Sequence, residues 1–324
     1  MSTVLVTGAA GFIGSHTSRA LLDDFDLVVG LDNLNDYYDP ARKLANIEEI
    51  NAAVRPHQEF KFVRGDIRDH QTVRSLLAEN NVSAIVHLAA MAGVRVSIEK
   101  PELYYDVNVM GTLNLLTAAQ DAAIGNFVLA STSSVYGRTE LIPFVETDRC
   151  DRPLSPYAAS KRAAELLGFT FHHLYGQNVT ALRFFTVYGP RGRPDMMAYK
   201  VLTNIFTGAE VPIYNNGQMH RDWTYVDDIV AGVMAAARKP LGFEIINLGR
   251  GEPVLLADFV KRIEELTGRH AKLTPAPMPD ADVPYTFADT SKAREMLSYE
   301  PKISASEGVE RLWRWYETEI LQHR

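Results

Sequence analysis

A single cysteine, Cys150, stands among 324 residues, so no disulfide can close within the chain. It falls in the polar run Asp148-Arg149-Cys150-Asp151 and reads as a loop residue, not a nucleophile. One lone thiol fits a reducing compartment, and a cytoplasmic location is the expectation. Positive charge is also short: 33 Lys and Arg face 40 Asp and Glu, for a net charge of -7. That balance argues against a nucleic-acid partner. No apolar run is long enough to span a bilayer, so no membrane partner is expected, and the first residues lack a secretory pattern. The nine histidines are scattered without metal-ligand spacing, so no metal is expected. Internal repeats and low-complexity tracts are missing too. What remains is ordinary globular material, 46% hydrophobic and 23% charged, long enough for two domains or one domain with a cap.

The first apolar run, Thr3 to Thr7, is followed at once by Gly8-Ala9-Ala10-Gly11-Phe12-Ile13-Gly14 and then by a helical pattern. Strand, glycine turn and helix form the setting of a dinucleotide site: the turn lets pyrophosphate approach backbone amides at a helix N-terminus. The next strand, Leu27 to Leu31, ends in Asp32. A carboxylate there accepts both adenosine ribose hydroxyls and repels a 2′-phosphate, which favours NAD over NADP. A third run, Phe60 to Val63, leads to Asp66 and Ile67, placed to meet the adenine ring. A polar helix is expected around Thr72 to Glu79. The fourth run, Ala84 to Leu88, ends in Ala89-Ala90, small enough for a cofactor to pass. The fifth, Asn126 to Ala130, ends in Ser131-Thr132-Ser133-Ser134. Apolar strands alternating with helices predict an α/β protein with a doubly wound parallel sheet, and ligands there bind beyond the carboxyl ends of the strands.

Pro101 to Ala123 reads as one long helix, and Pro156 to about Tyr175 as another. Both carry apolar residues on more than one side. Either they cover the sheet or they also build a dimer interface. In the second, Tyr157 and Lys161 are four residues apart and project from one face. An ammonium beside a phenol lowers its pKa, so Tyr157 is expected to exchange a proton with a sugar hydroxyl. Past the strand Val179 to Phe185 the alternation breaks into clusters rich in Pro, Gly and Arg, from Tyr188 to Asp195 and from His220 to Asp228. A polar, negatively charged substrate is expected there. Thr274 to Pro284 reads as a Pro-rich linker before two short final helices.

As a set these residues resemble the extended short-chain dehydrogenase/reductase family, specifically its nucleotide-sugar epimerases and dehydratases. The resemblance covers essentially the whole chain. It rests on Gly8, Gly11 and Gly14, Asp32, Leu88-Ala89-Ala90, Ser131 to Gly137, Tyr157 with Lys161, Arg183 to Pro190, and Arg221 to Asp228. The stretches Gly30 to Pro40 and Met91 to Arg95 look most like UDP-glucuronate 4-epimerases. The resemblance implies a Rossmann-type NAD-binding domain over residues 1–185, joined by 226–250. It also implies a smaller C-terminal α/β domain, mainly 186–324, that binds a UDP-sugar, and a homodimer. Gly8, Gly11, Phe12, Ile13, Gly14, Asp32, Asn33, Asn35, Asp66, Ile67, Leu88, Ala89, Ala90 and Ser131 match cofactor contacts. Tyr157 matches the acid/base, Lys161 its partner on the nicotinamide ribose, Thr132 the hydroxyl donor, and Arg221 the diphosphate arginine.

The implied activity is 4-epimerisation of UDP-glucuronate to UDP-galacturonate through a transient 4-keto sugar. That intermediate is a β-keto acid and loses carbon dioxide readily. Related dehydratases carry an acidic pair after the Thr and decarboxylases a glutamate, whereas this chain has Ser133 and Ser134. Neutral hydroxyls donate to a carboxylate where an acid would repel it. Ser133, Ser134 and Thr186 are therefore expected to hold the uronate. Arg193 and Arg95 are candidates for added positive charge, with a solvated loop arginine the plainer reading of both. UDP-glucose 4-epimerase, UDP-glucuronate decarboxylase and a catalytically silent NAD-binding regulator remain as alternatives.

Overall fold

The computed structural model describes residues 2–322. Its strands, in chain order, are β1 (Thr3–Thr7), β2 (Leu27–Asp32), β3 (Glu59–Arg64), β4 (Ala84–His87), β5 (Asn126–Thr132), β6 (Val179–Phe184), β7 (Thr186–Tyr188), β8 (Glu210–Tyr214), β9 (His220–Tyr225), β10 (Phe243–Leu248), β11 (Pro253–Leu255) and β12 (Lys272–Ala276). Seven form one sheet in the order β10-β6-β5-β4-β1-β2-β3, with every neighbouring pair parallel. Strands β1, β2, β4, β5 and β6 are buried along their whole length. Helices cover both faces, which is why these strands read as unbroken apolar runs. The strand order reverses between β1 and β4, and a crevice opens at that point beyond the strand ends.

The helix Pro156–Tyr175 matches its expected span. Pro156 opens it, the Ser155 hydroxyl accepts from the Ala158 amide at 3.2 Å, and Gly176 ends it with φ 69°. The expected long helix from Pro101 is not uniform. It runs Pro101–Tyr105, widens into a π-turn over Asp106–Met110 and resumes over Gly111–Asp121. The Asn108 amide is consumed at the turn: Oδ1 accepts from the Met91 amide at 2.8 Å, and Nδ2 donates to the Met91 carbonyl at 2.9 Å. A π-turn of this kind commonly marks a functional position. Both helices lay one face on the sheet, through Leu115, Leu116, Ala164 and Phe171. They leave Tyr105, Met110, Leu166, Phe169, Leu174 and Tyr175 exposed.

Phe185 alone separates β6 from β7, so the chain leaves the large sheet at the crevice. Strands β11, β9 and β7 form a three-stranded sheet, and β12 pairs with β8. The helix Val226–Arg238 and β10 then return to the large sheet. One buried cluster runs from Val4 and Val6 through Trp223 and Phe259 to Tyr316. The Trp223 and Phe259 rings stack at 3.8 Å. The expected linker begins later than Thr274, because Thr274 to Ala276 pair with β8 as the end of β12. Among the described residues, no helix is long and apolar enough to cross a membrane.

Candidate active site

The glycine turn is a cradle with no room for side chains. Gly8 has φ +70°, and a Cβ there would lie 2.7 Å from the Ala89 amide nitrogen. A Cβ on Gly14 would lie 1.9 Å from the Gly8 carbonyl oxygen. Phe12 and Ile13 open the following helix, Phe12–Leu21, whose first turn has no side-chain cap. Uncapped amides and the helix dipole suit a phosphate. Asp32 stands at the tip of β2, buried, with Oδ2 accepting from the Ala10 amide at 3.2 Å and Oδ1 from the Leu34 amide at 2.8 Å. Burial raises its pKa, against the Lys43 charge and these two amides. Asn35 receives Lys43 Nζ through its carbonyl and its side chain, both at 2.9 Å. Asn33 donates to Asp66 at 2.9 Å. Asp66 also carries the Arg68 guanidinium, which holds its pKa down to about 2. Ile67 is buried against Gly111, and its carbonyl takes the Asn114 amide at 2.6 Å. Leu88, Ala89 and Ala90 lie partly open beside the turn. Glycine cradle, uncapped helix end and strand-tip acid fit the pyrophosphate and ribose of a dinucleotide.

Across the crevice, Thr132 ends β5 and faces Tyr157. The Thr132 hydroxyl accepts from the Ser134 amide and donates to the Ser134 hydroxyl, each at 3.2 Å, which caps the short turn Ser133–Tyr136. Tyr157 packs edge-on to Tyr104 with ring centroids 6.1 Å apart. Its electrostatics differ from the expectation. Burial raises the phenol above its usual 10, while a hydrogen bond with Thr132 and the charge of Arg193 pull it back. Desolvation wins, and the lowering expected from Lys161 does not appear. Lys161 is itself buried, which pushes its pKa down to about 8 against the pull of Glu165.

Arg193 is a second correction. It is no solvated loop arginine: its side chain is 19% exposed, its guanidinium lies over the Tyr37 ring at 5.4 Å, and its charge reaches Tyr157. Asp195 holds it side-on, accepting from Nε at 3.0 Å and Nη2 at 2.6 Å. Tyr37 donates to the same carboxylate at 3.4 Å. Thr186 starts β7, partly open. Arg95 and Arg221 take partners elsewhere. Arg95 is exposed and stacks on Tyr214 at 4.4 Å, and Arg221 pairs with Asp282 at 2.7 Å. Cys150 is a loop residue, as expected, but a buried one. It packs with Tyr136, Phe144 and Phe185, and burial pushes its thiol up to about 11, which leaves it inert.

Sequence reasoning missed the supports behind this site. Glu165, one turn past Lys161, is fully buried and accepts from Ser131 at 2.5 Å, from Arg162 at 2.9 Å, and from Arg183 twice at 2.9 Å. Its spacing of four from Lys161 was the available signal. Asn108 donates to Ser160 at 3.0 Å and so ties the π-turn to the Tyr157 helix. Tyr37 and Asp195 lie in stretches the sequence singled out, but their meeting across 158 positions left no sequence signal. Among the described residues, no group of three His, Cys, Asp or Glu is placed to hold a metal.

A family model for GDP-mannose 4,6 dehydratase matches residues 5–312. A UDP-glucuronate 4-epimerase of Thermodesulfobacterium geofontis is 44% identical over 99% of this chain and 98% of its own length. A crystal structure of the UDP-glucuronic acid 4-epimerase from Bacillus cereus, in complex with UDP-glucuronic acid and NAD, superposes with a TM-score of 0.89. It is 34% identical and covers 97% of this chain and 99% of the solved one. The dTDP-glucose 4,6-dehydratase DesIV from Streptomyces venezuelae, with NAD bound, gives the same TM-score of 0.89 at 32% identity, covering 98% and 97%. Fold alone therefore does not separate epimerase from dehydratase. From the glycine turn to the last helix, the chain belongs to the GDP-mannose 4,6-dehydratase family of extended short-chain dehydrogenase/reductases.

Proposed function

We propose that this protein is an NAD-dependent 4-epimerase that interconverts UDP-glucuronate and UDP-galacturonate. One observation carries the reading over the dehydratase chemistry that shares the fold. Thr132 stands close enough to Tyr157 to favour its phenolate, and the two positions after Thr132 are the hydroxyls Ser133 and Ser134, not acids. Bound NAD would supply the reversible hydride acceptance that inversion at the sugar C4 needs. Gly8, Gly11, Gly14 and the Phe12–Ile13 amides would hold its pyrophosphate, and Asp32 its adenosine ribose. Asn33, Asn35, Asp66, Ile67, Leu88, Ala89, Ala90 and Ser131 would line the remainder, with Lys161 at the nicotinamide ribose.

The chain's own residues manage the proton and the substrate. Tyr157 takes the proton of the sugar 4-hydroxyl and gives it back after the ring turns over. Because desolvation disfavours the bare phenolate, bound cationic charge is needed to bring it to working pH. Thr132 holds the reacting oxygen. Arg193 uses one edge on Asp195, and its Nη1 has no hydrogen-bond partner among the described residues. That free edge matches a carboxylate. Ser133, Ser134 and Thr186 would donate to the same carboxylate and keep it from the geometry that breaks the C–C bond.

Arg221 is our candidate for the diphosphate, with Arg95 further out on Tyr214. We take residues 1–185 with 226–250 as the cofactor domain and mainly 186–324 as the UDP-sugar domain. Tyr105, Met110, Leu166, Phe169 and Leu174 would cover one another in a homodimer, and the enzyme would work in the cytoplasm. Incubation with UDP-glucuronate tests the activity. UDP-galacturonate is the expected product. A UDP-pentose with carbon dioxide would make the protein a decarboxylase, and turnover of UDP-glucose alone would make it a hexose epimerase.

A further inference from the structure

His87 ends β4 and is fully buried. Its ring stands between two hydroxyls, with Nδ1 2.7 Å from Thr7 Oγ1 and Nε2 3.0 Å from Thr112 Oγ1. The direction of each bond follows from the partners. Thr112 donates its one hydroxyl proton to the Asn108 carbonyl at 2.6 Å, and a carbonyl only accepts. Thr112 Oγ1 must therefore accept from His87, so Nε2 carries a proton. Burial beside the Lys161 ammonium holds the imidazole neutral, with a pKa of about 3. Nδ1 is then bare and accepts from Thr7, whose oxygen in turn accepts from the Ala89 amide at 3.2 Å.

Onward, Met91 fixes the orientation of the Asn108 side chain, because its amide must donate to Oδ1 and its carbonyl must accept from Nδ2. Nδ2 also donates to Ser160 Oγ at 3.0 Å, and Ser160 donates to the Tyr157 carbonyl at 2.8 Å. Every donor points the same way. Two runs result: Ala89, against the glycine turn, through Thr7, His87 and Thr112 to the Asn108 carbonyl, and the Asn108 side chain through Ser160 to the Tyr157 carbonyl, with the Asn108 residue itself joining them. Within each run the hydrogen bonds polarise one another in a dry interior, and between them the fixed Asn108 residue transmits position only.

We propose that His87 is a positioning residue for the acid/base helix, acting as a neutral Nε2–H imidazole that links the cofactor turn to the Tyr157 backbone. It touches neither substrate nor reacting atoms. The role rests on the epimerase reading only for its kinetic test. The tautomer test stands by itself.

Two experiments decide it. In the first, ¹⁵N-histidine NMR of the wild-type holoenzyme reads the ring nitrogens of His87, assigned by their loss in His87→Gln. A protonated Nε2 and a bare Nδ1, unchanged from pH 6 to pH 8, is the expected spectrum. An Nδ1–H tautomer, or titration in that range, overturns the proposal whether or not the protein is an epimerase. In the second, His87→Gln and His87→Phe are compared on UDP-glucuronate. Gln can still donate to Thr112, whereas Phe fills the space without a donor. The expected result is a fall in kcat of about tenfold or more for Phe, with KM within about twofold and partial recovery in Gln. Equal kcat in Phe and wild type would overturn it. So would equal losses in both variants, because packing alone would then explain them. If wild type does not turn over UDP-glucuronate, the function fails and the tautomer result still decides the hydrogen-bond chain.

Discussion

Asp195 grips Arg193 by Nε and Nη2, at 3.0 and 2.6 Å, and leaves Nη1 without a hydrogen-bond partner among the described residues. Burial alone would raise the Asp195 pKa, but the hydrogen bonds and charge of Arg193 outweigh it and the carboxyl sits below its usual range. The guanidinium is thus pinned before any ligand arrives, and pre-organisation lowers the entropy cost of binding. Asp195→Asn should raise KM for UDP-glucuronate by about tenfold, the scale of one charge-assisted hydrogen bond, and leave kcat little changed. Steady-state kinetics checks this. An unchanged KM would remove Arg193 from uronate recognition.

The turn after Thr132 invites the opposite manipulation. Ser133→Asp places an acid where the account puts the substrate carboxylate. Affinity for UDP-glucuronate should fall by about 2 kcal/mol or more, since two like charges would share a poorly solvated site, while UDP binding stays within about twofold. Calorimetry with both ligands separates the two effects. Equal loss of UDP and UDP-glucuronate would mean that the turn had simply misfolded.

Glu165, on the helix of Tyr157, and Arg183, on β6, form a fully buried ion pair. Removing one partner strands a charge, so Glu165→Gln should cost about 3–5 kcal/mol in unfolding free energy. The double variant Glu165→Leu/Arg183→Met removes both charges, and it should be less destabilised than the single one. Urea unfolding checks the order. A double variant that is worse than the single would show that the pair itself, not the stranded charge, carries the stability.

His87 also makes a statement about pH. Its folded pKa of about 3 lies below the ordinary 6.5, so the unfolded chain binds the extra proton between those values. Stability associated with the neutral ring is fully present above pH 6.5 and is lost as pH falls through that window. Between about pH 6 and pH 5, before most carboxylates titrate, His87 should contribute a slope approaching 1.4 kcal/mol per pH unit. Denaturant titrations of wild type and His87→Phe test it. The variant should show the shallower slope, and identical slopes would mean that His87 is already protonated or exposed.

Much of this was legible in the sequence. The β-branched runs from Thr3 and Leu27 set the strands because both faces of a parallel sheet are dry. Pro156 and Gly176 bracket the helix of Tyr157 and Lys161 because one fits a first turn and the other a left-handed cap. The π-turn at Asn108 was not legible, since helical spacing looks the same on either side of it. Arg193 misled because Arg-Gly-Arg-Pro reads as exposed loop, and only the fold brings Tyr37 beneath it. Tyr157 misled for a related reason: spacing places the ammonium on the same face, but burial decides the phenol's charge. Buried partners distant in sequence, such as Glu165 with Arg183 or His87 with Thr7, leave no periodic trace.

The central claim is that a hydride leaves C4 of the sugar and returns to the same carbon, with Tyr157 handling only the hydroxyl proton. UDP-glucuronate labelled with deuterium at C4 tests it most directly, with NMR of the UDP-galacturonate formed in ordinary water. Deuterium should stay at C4 of the product, and Tyr157→Phe should form product slower by about a hundredfold or more. Loss of the label to solvent, or inversion at full speed in Tyr157→Phe, would contradict it.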